Sequence, residues 1–489
     1  MRVSTTLVVV GIVLVGASLP ASAQSPDTLQ RLDSVITAVR TLGRAYGESI
    51  WPGFRPDTIP LLFVLRGRGS VLSGWSASPP EGYRALRDWP ALLWRDESAV
   101  SAASTNVSLG GREVAQVAVD RLDQVSLASV AVHEAFHVFQ KSQRQDGRRF
   151  GMGENAFYVA SYPLFDLENE SRFALEGALL ADALATRNAA ARLEAARRFV
   201  GVRTARHAQL APDYAAFDDA AELNEGLAQY AQQRTLALLA TRGAATWRAS
   251  ALEQLRTEQR KIDSLTTDTK RSFRLRYYQT GPAIASLLDS LAPGWKRGFA
   301  ANNETLTSAL ATATGLDAQT RAAARRATSA GRLERLRNEA ATRVAALQRQ
   351  RRALADSLLS LPGVQLVLAA DSLASRDFNS CGFDPQNLLQ VTPQVQLQMR
   401  WWRPCGGAST TAELSVPSVH DLSVGSVTAV IGRMEDVKLT ADGAPLVLAD
   451  GEVRRAVANV KLQAPRASVQ SARADVERRG RVLLIRPRP

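Results

Sequence analysis

The chain has 489 residues and a formal net charge of +13; 45% of its residues are hydrophobic, 22% are charged and two are cysteines. This composition excludes a disordered chain, a collagen-like repeat and a cysteine-framework domain, and the length leaves room for two or three domains with real cores. Basic residues are interspersed with acidic ones along Ala-rich stretches, as in Arg335-Leu336-Arg337-Asn338-Glu339, rather than gathered into a patch, so no nucleic-acid partner is expected.

The first residues read as a secretory leader. Arg2 supplies the positive charge, residues 7–19 form a short apolar run, and Ala21-Ser22-Ala23 is a small-x-small cleavage site before Gln24. The apolar run is shorter than the roughly 20 residues that a spanning helix needs, and no later stretch is long and apolar enough. Residues 1–23 are therefore expected to be a signal peptide. The mature protein is expected to have no membrane span and to be exported, periplasmic or secreted. Cys381 and Cys405 then predict one disulfide, and without a C-x-x-C pair they do not predict a metal site.

Residues 24–124 read as a mixed α/β part, with a helix over 27–46, a strand over 60–65, and a hairpin of 106–109 with 114–119 around Gly110-Gly111. Residues 125–315 read as a helical core, with helices over 127–141, 167–186, 219–241, 247–265 and 281–291. Residues 316–361 are charged and Ala-rich, one or two long helices serving as a spacer or buttress. From residue 362 to 489, Val, Leu, Thr and Gly rise and alternation appears. The expected strands there are 364–369, 392–401, 412–416, 426–431 and 482–485, followed by a frayed tail, Arg486-Pro487-Arg488-Pro489. The fold class expected is α+β: a mainly helical core with an N-terminal mixed part, a long helical spacer and a C-terminal β-rich domain.

Two of the four histidines fall in His133-Glu134-Ala135-Phe136-His137, an H-E-x-x-H. The run from Ser126 to Phe139 contains neither Gly nor Pro, and Asp123 or Ser126 can cap it. Positions i and i+4 share a helix face, so His133 and His137 can hold one zinc ion while Glu134 reaches a water beside it. Leu127, Val130, Val132, Phe136, Val138 and Phe139 make the helix apolar nearly all round. It should be buried, where two imidazoles and a carboxylate need partners that a metal supplies. A third ligand is required. No histidine follows in residues 138–147, and His207 lies in an Arg-rich stretch that reads as exposed. The carboxylate candidates are Glu168, Glu170, Glu176 (followed by Gly177) and Glu225.

Glu225 stands in Glu222-Leu223-Asn224-Glu225-Gly226-Leu227-Ala228-Gln229-Tyr230. Here the chain resembles the gluzincin metallopeptidases. In the aminopeptidase N-like and glycyl aminopeptidase-like families, a helix reading N-E-G-[FL]-A or E-G-L-T-x-Y carries the zinc-binding Glu, and the match falls on Glu225. The resemblance covers roughly residues 125–295 and implies a thermolysin-like zincin core. Glu225 follows His137 at a longer spacing than those families mostly use, which an inserted helical unit over about 150–210 would explain, with Glu176 as the rival ligand. Gly226 is expected to let this helix approach the H-E-x-x-H helix. Glu222 and Gln229, at i−3 and i+4 from Glu225, are expected to partner His133 or His137.

Tyr278-Gln279-Thr280-Gly281 and the apolar helix after it are similar to the Y-x-x-G segment of aminopeptidase N-like enzymes, whose Tyr donates to the developing oxyanion. Tyr278 is the matching position and Tyr277 the neighbouring alternative. Gly151-Met152-Gly153-Glu154-Asn155 resembles the amine-anchoring G-x-M-E-N loop of the same enzymes. It follows the zinc helix instead of preceding it, and is read as coincidence, with Glu154 left as a residue of the cleft at most. The resemblance implies a zinc metallopeptidase in which Glu134 is the general base and Tyr278 the oxyanion donor, with the strand over 114–119 pairing with an extended peptide. The competing readings are an inactive zincin-like binding or scaffold protein and a zinc hydrolase of a non-peptide bond.

Overall fold

A computed structural model describes residues 26–96, 104–119, 122–145, 148–149, 154–155, 157–264, 272–299, 304–326, 330–369, 379–406 and 410–488. The expected leader at 1–23, Gly151 to Gly153 and the final Pro489 lie outside these residues. The architecture is mixed α and β: an N-terminal α/β part, a helical region and a C-terminal β-rich region.

The chain opens with helix α1 (Pro26–Ile50), whose Leu29, Leu32, Val35, Ile36, Val39 and Leu42 recur at helical spacing and are all buried. Strands β1 (Leu61–Leu65), β2 (Gly69–Ser73), β3 (Arg84–Leu86), β4 (Trp89–Arg95), β5 (Thr105–Leu109) and β6 (Arg112–Ala118) form one six-stranded sheet in the order β3-β4-β2-β1-β6-β5. β1 runs parallel to β6 and is buried on both faces: Leu61, Phe63 and Leu65 join the main core, while Leu62 and Val64 join a smaller cluster with Leu72, Tyr83 and Val114. β5 and β6 make the hairpin expected around Gly110-Gly111. The pairing role expected of residues 114–119 is corrected here. β6 already has β1 on one side and β5 on the other, so its backbone groups are taken; among the described residues β5 is the edge strand on that side, with β3 at the opposite edge.

A short loop joins β6 to α2 (Gln124–Ser142), capped by the Asp123 carboxylate, which accepts from the Ser126 N–H at 2.9 Å. The chain then pairs β7 (Arg144–Gln145) with β8 (Arg148–Arg149). Helices α3 (Tyr158–Ser161), α4 (Leu167–Ala185), α5 (Ala189–His207) and α6 (Pro212–Ala221) follow. The single helix expected over 219–241 is interrupted. After α6 comes a π-turn, Glu222–Gly226, in which the Leu227 N–H reaches back to the Glu222 carbonyl, and then α7 (Leu227–Arg242). Next come α8 (Ala245–Arg260) and α9 (Tyr277–Leu291). α9 begins four residues before the expected Gly281, because a 3-10 turn capped by Ser272 (Phe273–Arg276) feeds directly into it.

Helices α10 (Leu306–Ala313), α11 (Ala318–Arg326) and α12 (Ala330–Ser360) complete the helical region. α12 is a buttress. Leu347 belongs to the main core, and Ala355 packs with Leu389, Val391, Leu397 and Val419 of the β region.

The C-terminal region comprises β9 (Gln365–Ala369), β10 (Asn379–Phe383), β11 (Leu388–Thr392), β12 (Val395–Gln398), β13 (Trp402–Gly406), β14 (Thr410–Leu414), β15 (Ser418–Asp421) and β16 (Ser426–Val430). It continues with β17 (Lys438–Ala441), β18 (Ala444–Pro445), β19 (Val453–Ala464), β20 (Ala467–Arg479) and β21 (Val482–Pro487). These strands form a thirteen-stranded sheet, with Cys381 and Cys405 disulfide-bonded across β10 and β13.

Two expectations fail in this region. Residues 392–401 are not one strand: Pro393 cannot donate to a ladder, and the Thr392 hydroxyl accepts from the N–H groups of Gln394 (3.1 Å) and Val395 (3.0 Å), turning β11 back on β12. Nor does the tail fray as expected. β21 runs to Pro487, Arg486 pairs with Glu477 at 3.1 Å, and Arg488 pairs with Asp475 at 2.5 Å.

Candidate metal centre

α2 carries its aromatic residues on one side and its histidines on another. Phe136 packs edge-on against Trp51 and Phe54, with ring centroids 5.7 and 5.1 Å away, which locks the helix against α1 and the chain that follows it. His133 and His137, one turn apart, then face the π-turn. Both imidazole Nε2 atoms lie 3.4 Å from the same oxygen, Oε2 of Glu225. One ligand atom from each of the three residues falls within 4.8 Å of the others, and this is the His/Cys/Asp/Glu group found with metal-binding geometry among the described residues.

Three observations bear on whether these residues could hold a divalent ion such as zinc. First, zinc–ligand bonds of about 2.0–2.1 Å in a tetrahedron imply ligand–ligand separations of roughly 3.4 Å, the Nε2-to-Oε2 spacing found at both histidines. Second, the tautomer of His137 is set by its neighbours. The Gln140 amide donates to the carbonyls of Leu223 (2.7 Å) and Asn224 (3.3 Å), so its Oε1, 3.0 Å from His137 Nδ1, must accept. Nδ1 therefore carries a proton, and Nε2 faces the carboxylate, where a metal ion or a second proton can sit between them. Third, negative charge is in excess. Glu225 and Glu154 share one guanidinium, Arg274, and the buried Glu134 feels the charge of Glu225, so a divalent ion would offset the surplus.

Glu225 is oriented by its other oxygen. Arg274 Nη2 donates to Oε1 at 2.8 Å, leaving Oε2 to the histidines. Arg274 in turn grips Glu154 through Nε and through Nη2 (2.6 Å), and Asn224 Nδ2 donates to Glu154 at 2.9 Å. Glu154 is thus a supporting residue of this centre. Burial opposes the charge of Glu225, but Arg274 and then His137 hold its carboxyl well below the ordinary carboxylate range. Burial likewise opposes the imidazolium of His137, and the facing Glu225 carries its pKa up to about 9 in the metal-free chain. Glu134 is buried, and burial is the main force pushing its carboxyl up. The Tyr278 ring stacks on His133 at 5.8 Å with an interplanar angle of 8°, and burial followed by the negative charge of Glu225 pushes its hydroxyl well above the ordinary tyrosine value. Tyr277 points away, its hydroxyl donating to Asp218.

Several expected partners go elsewhere. Glu176 is committed to Arg203 and Arg206, each at 2.6 Å, and Glu170 to Arg276, so neither reaches the histidines; Glu168 pairs with Arg172 at 2.7 Å. His207 lies 3.2 Å from Asp218, and the stretch read as exposed contains two fully buried arginines, Arg203 and Arg206. Glu222 pairs with Arg203 at 2.9 Å and accepts from Thr280 at 2.5 Å, while Gln229 donates to Glu258 at 3.2 Å; neither bonds to His133 or His137. The extra residue in the π-turn rotates Glu222 off the face of Glu225, which defeats spacing arguments based on 3.6 residues per turn. Gly226 faces α9 instead of α2: a Cβ there would lie 2.7 Å from the Cα of Gly281 and 3.0 Å from the Tyr277 carbonyl. This backbone-to-backbone contact brings Glu225 and Tyr278 to one site.

Gln140, Arg274 and Gln386 were not singled out from the sequence. Gln140 had a readable signal, since i+3 from His137 is the same helix face; Arg274 and Gln386 arrive from distant segments. Replacing Gln140 with Leu is expected to weaken zinc affinity by about 10–100-fold, measured by competition with a chromophoric chelator, because His137 loses the partner that fixes its tautomer. No protein-family model matches the chain, and no curated protein or solved structure matches it either.

Proposed function

We propose that the chain is a zinc-dependent peptidase of the gluzincin kind, with a thermolysin-like catalytic core, and that it acts outside the cytoplasm. The observation that carries this reading is the convergence of His133, His137 and Glu225 beside a buried Glu134 that is not itself a ligand. A scaffold that only held the metal would have no use for that fourth group. A zinc ion held by these three residues would supply a Lewis acid for the scissile carbonyl and lower the pKa of a water toward about 7.

The chain's own residues do the rest. The Glu134 carboxylate takes a proton from the attacking water and passes it to the leaving amine. The Tyr278 hydroxyl donates to the carbonyl oxygen as it gains negative charge. Gln140 and Arg274 hold His137 and Glu225 in register, so little reorganisation is needed at the moment of reaction. Edge strand β5, paired on one side only among the described residues, offers backbone groups to an extended peptide beside α2, which favours a peptide over other hydrolysable bonds. The Cys381–Cys405 disulfide is compatible with an oxidising compartment.

The test is direct. The purified protein is expected to contain one zinc per chain by elemental analysis, to cleave casein or a peptide library, to lose that activity to a chelator, and to regain it with added zinc. Sub-stoichiometric metal after reconstitution, or hydrolysis indifferent to the chelator, would remove this reading.

A further inference from the structure

The C-terminal β region touches the metal centre. Gln386, in the 3-10 turn Pro385–Asn387, donates from Nε2 to the Tyr278 hydroxyl at 3.3 Å. The turn is held from within by Asp384, which accepts from the Gln386 N–H (3.0 Å) and from Asn387 Nδ2 (2.5 Å). It is held from behind by β11. There the buried Gln390 donates to the carbonyls of Val159 (3.2 Å), Ala160 (2.7 Å) and Tyr162 (3.0 Å), and Gln396 adds a bond to Ala160 at 3.2 Å. Two buried glutamine amides, Gln390 and Gln396, bonded to main-chain carbonyls of the helical region make this a fixed wall rather than a hinged neighbour.

Two phenyl rings meet at the seam. Phe383, three residues before Gln386, packs against both the main core and the core of the β region, and its ring lies 5.3 Å from that of Phe157. Phe157 is 55% exposed. It follows by three residues Glu154, which is bound to Arg274 and through it linked to Glu225. Three residues of extended chain reach at most about 11 Å. The aromatic pair is therefore joined by three residues of chain to Gln386, which bonds Tyr278, and by three residues to Glu154, whose partner Arg274 holds Glu225. A lone exposed phenylalanine needs no explanation; an aromatic pair at the seam, on the two stretches that carry Gln386 and Glu154, does.

We propose that this turn of the β region is a wall of the substrate cleft, and that Phe157 and Phe383 form a shelf that takes a bulky apolar or aromatic side chain of the peptide. The proposal rests on the peptidase reading. It assigns the C-terminal region a role in specificity: an aliphatic or aromatic side chain gains by leaving water for the shelf, and a charged one does not.

The test uses the full-length, zinc-loaded protein and two probes. One is a peptide series in which the residues flanking the cleaved bond are stepped through Phe, Leu, Ala and Asp. The other is a pair of hydroxamates carrying a benzyl or a methyl group. The parent protein is expected to favour Phe and Leu over Ala by about 10–100-fold in kcat/KM, and the benzyl over the methyl hydroxamate in affinity. Phe157→Ala alters an exposed ring and leaves the core intact; it is expected to bring both ratios to within about threefold, and Phe157→Trp to restore them. Phe383→Leu should act in the same direction. If hydrolysis proceeds with side-chain ratios that Phe157→Ala leaves unchanged, the shelf is refuted and the peptidase reading stands. If the zinc-loaded parent discriminates between the hydroxamates through Phe157 but cleaves no peptide, the shelf is upheld and the peptidase reading falls. If neither probe is recognised, both fall.

Discussion

Glu134→Gln is expected to leave the zinc content of the protein unchanged while cutting peptide hydrolysis by about 10²–10⁴-fold, the usual worth of a positioned general base. The substitution preserves the size and shape of a residue that sits in a close-packed helix between Ala131, Ala135 and Val138, so α2 should not shift. The three groups with metal-binding geometry remain: both imidazoles and the Oε2 of Glu225. What disappears is a buried carboxylate near the histidines that, among the described residues, no arginine neutralises. Burial is the chief force pushing its carboxyl up, with the imidazoles pulling it back, which suits a group that must both accept and return a proton. Substitution of His137 by Ala should do the opposite, removing zinc and activity together. Measuring zinc by mass spectrometry alongside kcat/KM separates the two cases. Hydrolysis by Glu134→Gln within about threefold of the parent rate would end its assignment as base.

How much of this site could be seen in the sequence depends on how far apart its parts lie along the chain. His133, Glu134 and His137 are local: one helical turn and an unbroken apolar run were enough to place them on a buried helix. Glu225 was visible only through the motif around it, because nothing in the chain's periodicity connects it to α2. Glu222 was misassigned to the histidines for a definite reason. Sequence periodicity assumes i→i+4 bonding, and the π-turn at Glu222–Gly226 breaks that assumption at the functional residue. Arg203 and Arg206 read as solvated because an arginine's burial depends on partners. Those partners, Glu176, Glu222 and Asp218, come from other helices. In the β region, β19 and β20 escaped notice although they are the longest strands described. Their Arg- and Ala-rich sequences lack the β-branched alternation that marks a strand, and they are held by pairing with each other across the turn at Pro465-Arg466.

Arg203→Ala is expected to destabilise the metal-free protein by about 3–5 kcal/mol, the usual result of removing one partner from a buried ion pair. That is a large part of the roughly 5–15 kcal/mol that holds a domain folded. Arg203 is fully buried and joins Glu176 on α4 to Glu222 at the head of the π-turn, with Thr280 of α9 bonded to the same Glu222 carboxylate. Burial works against the charge of Glu176, and Arg203 followed by Arg206 overcomes it, holding the carboxyl below its ordinary value. The sign of the pH dependence follows. A carboxyl whose folded pKa is depressed lends stability that is present above its unfolded value, about 4.3, and is lost as pH falls through the folded one. Without Arg203 that depression weakens, so the gap between parent and variant in denaturant midpoint should be wide at pH 8 and should narrow as pH falls from about 4 through the folded value. A gap caused only by the lost side-chain volume would not change with pH, and finding one would refute the electrostatic account. Because the freed Glu222 begins the turn that carries Glu225, the same variant should also bind zinc more weakly. The buried network and the metal centre share one short segment of chain, so disturbing the first should be felt at the second.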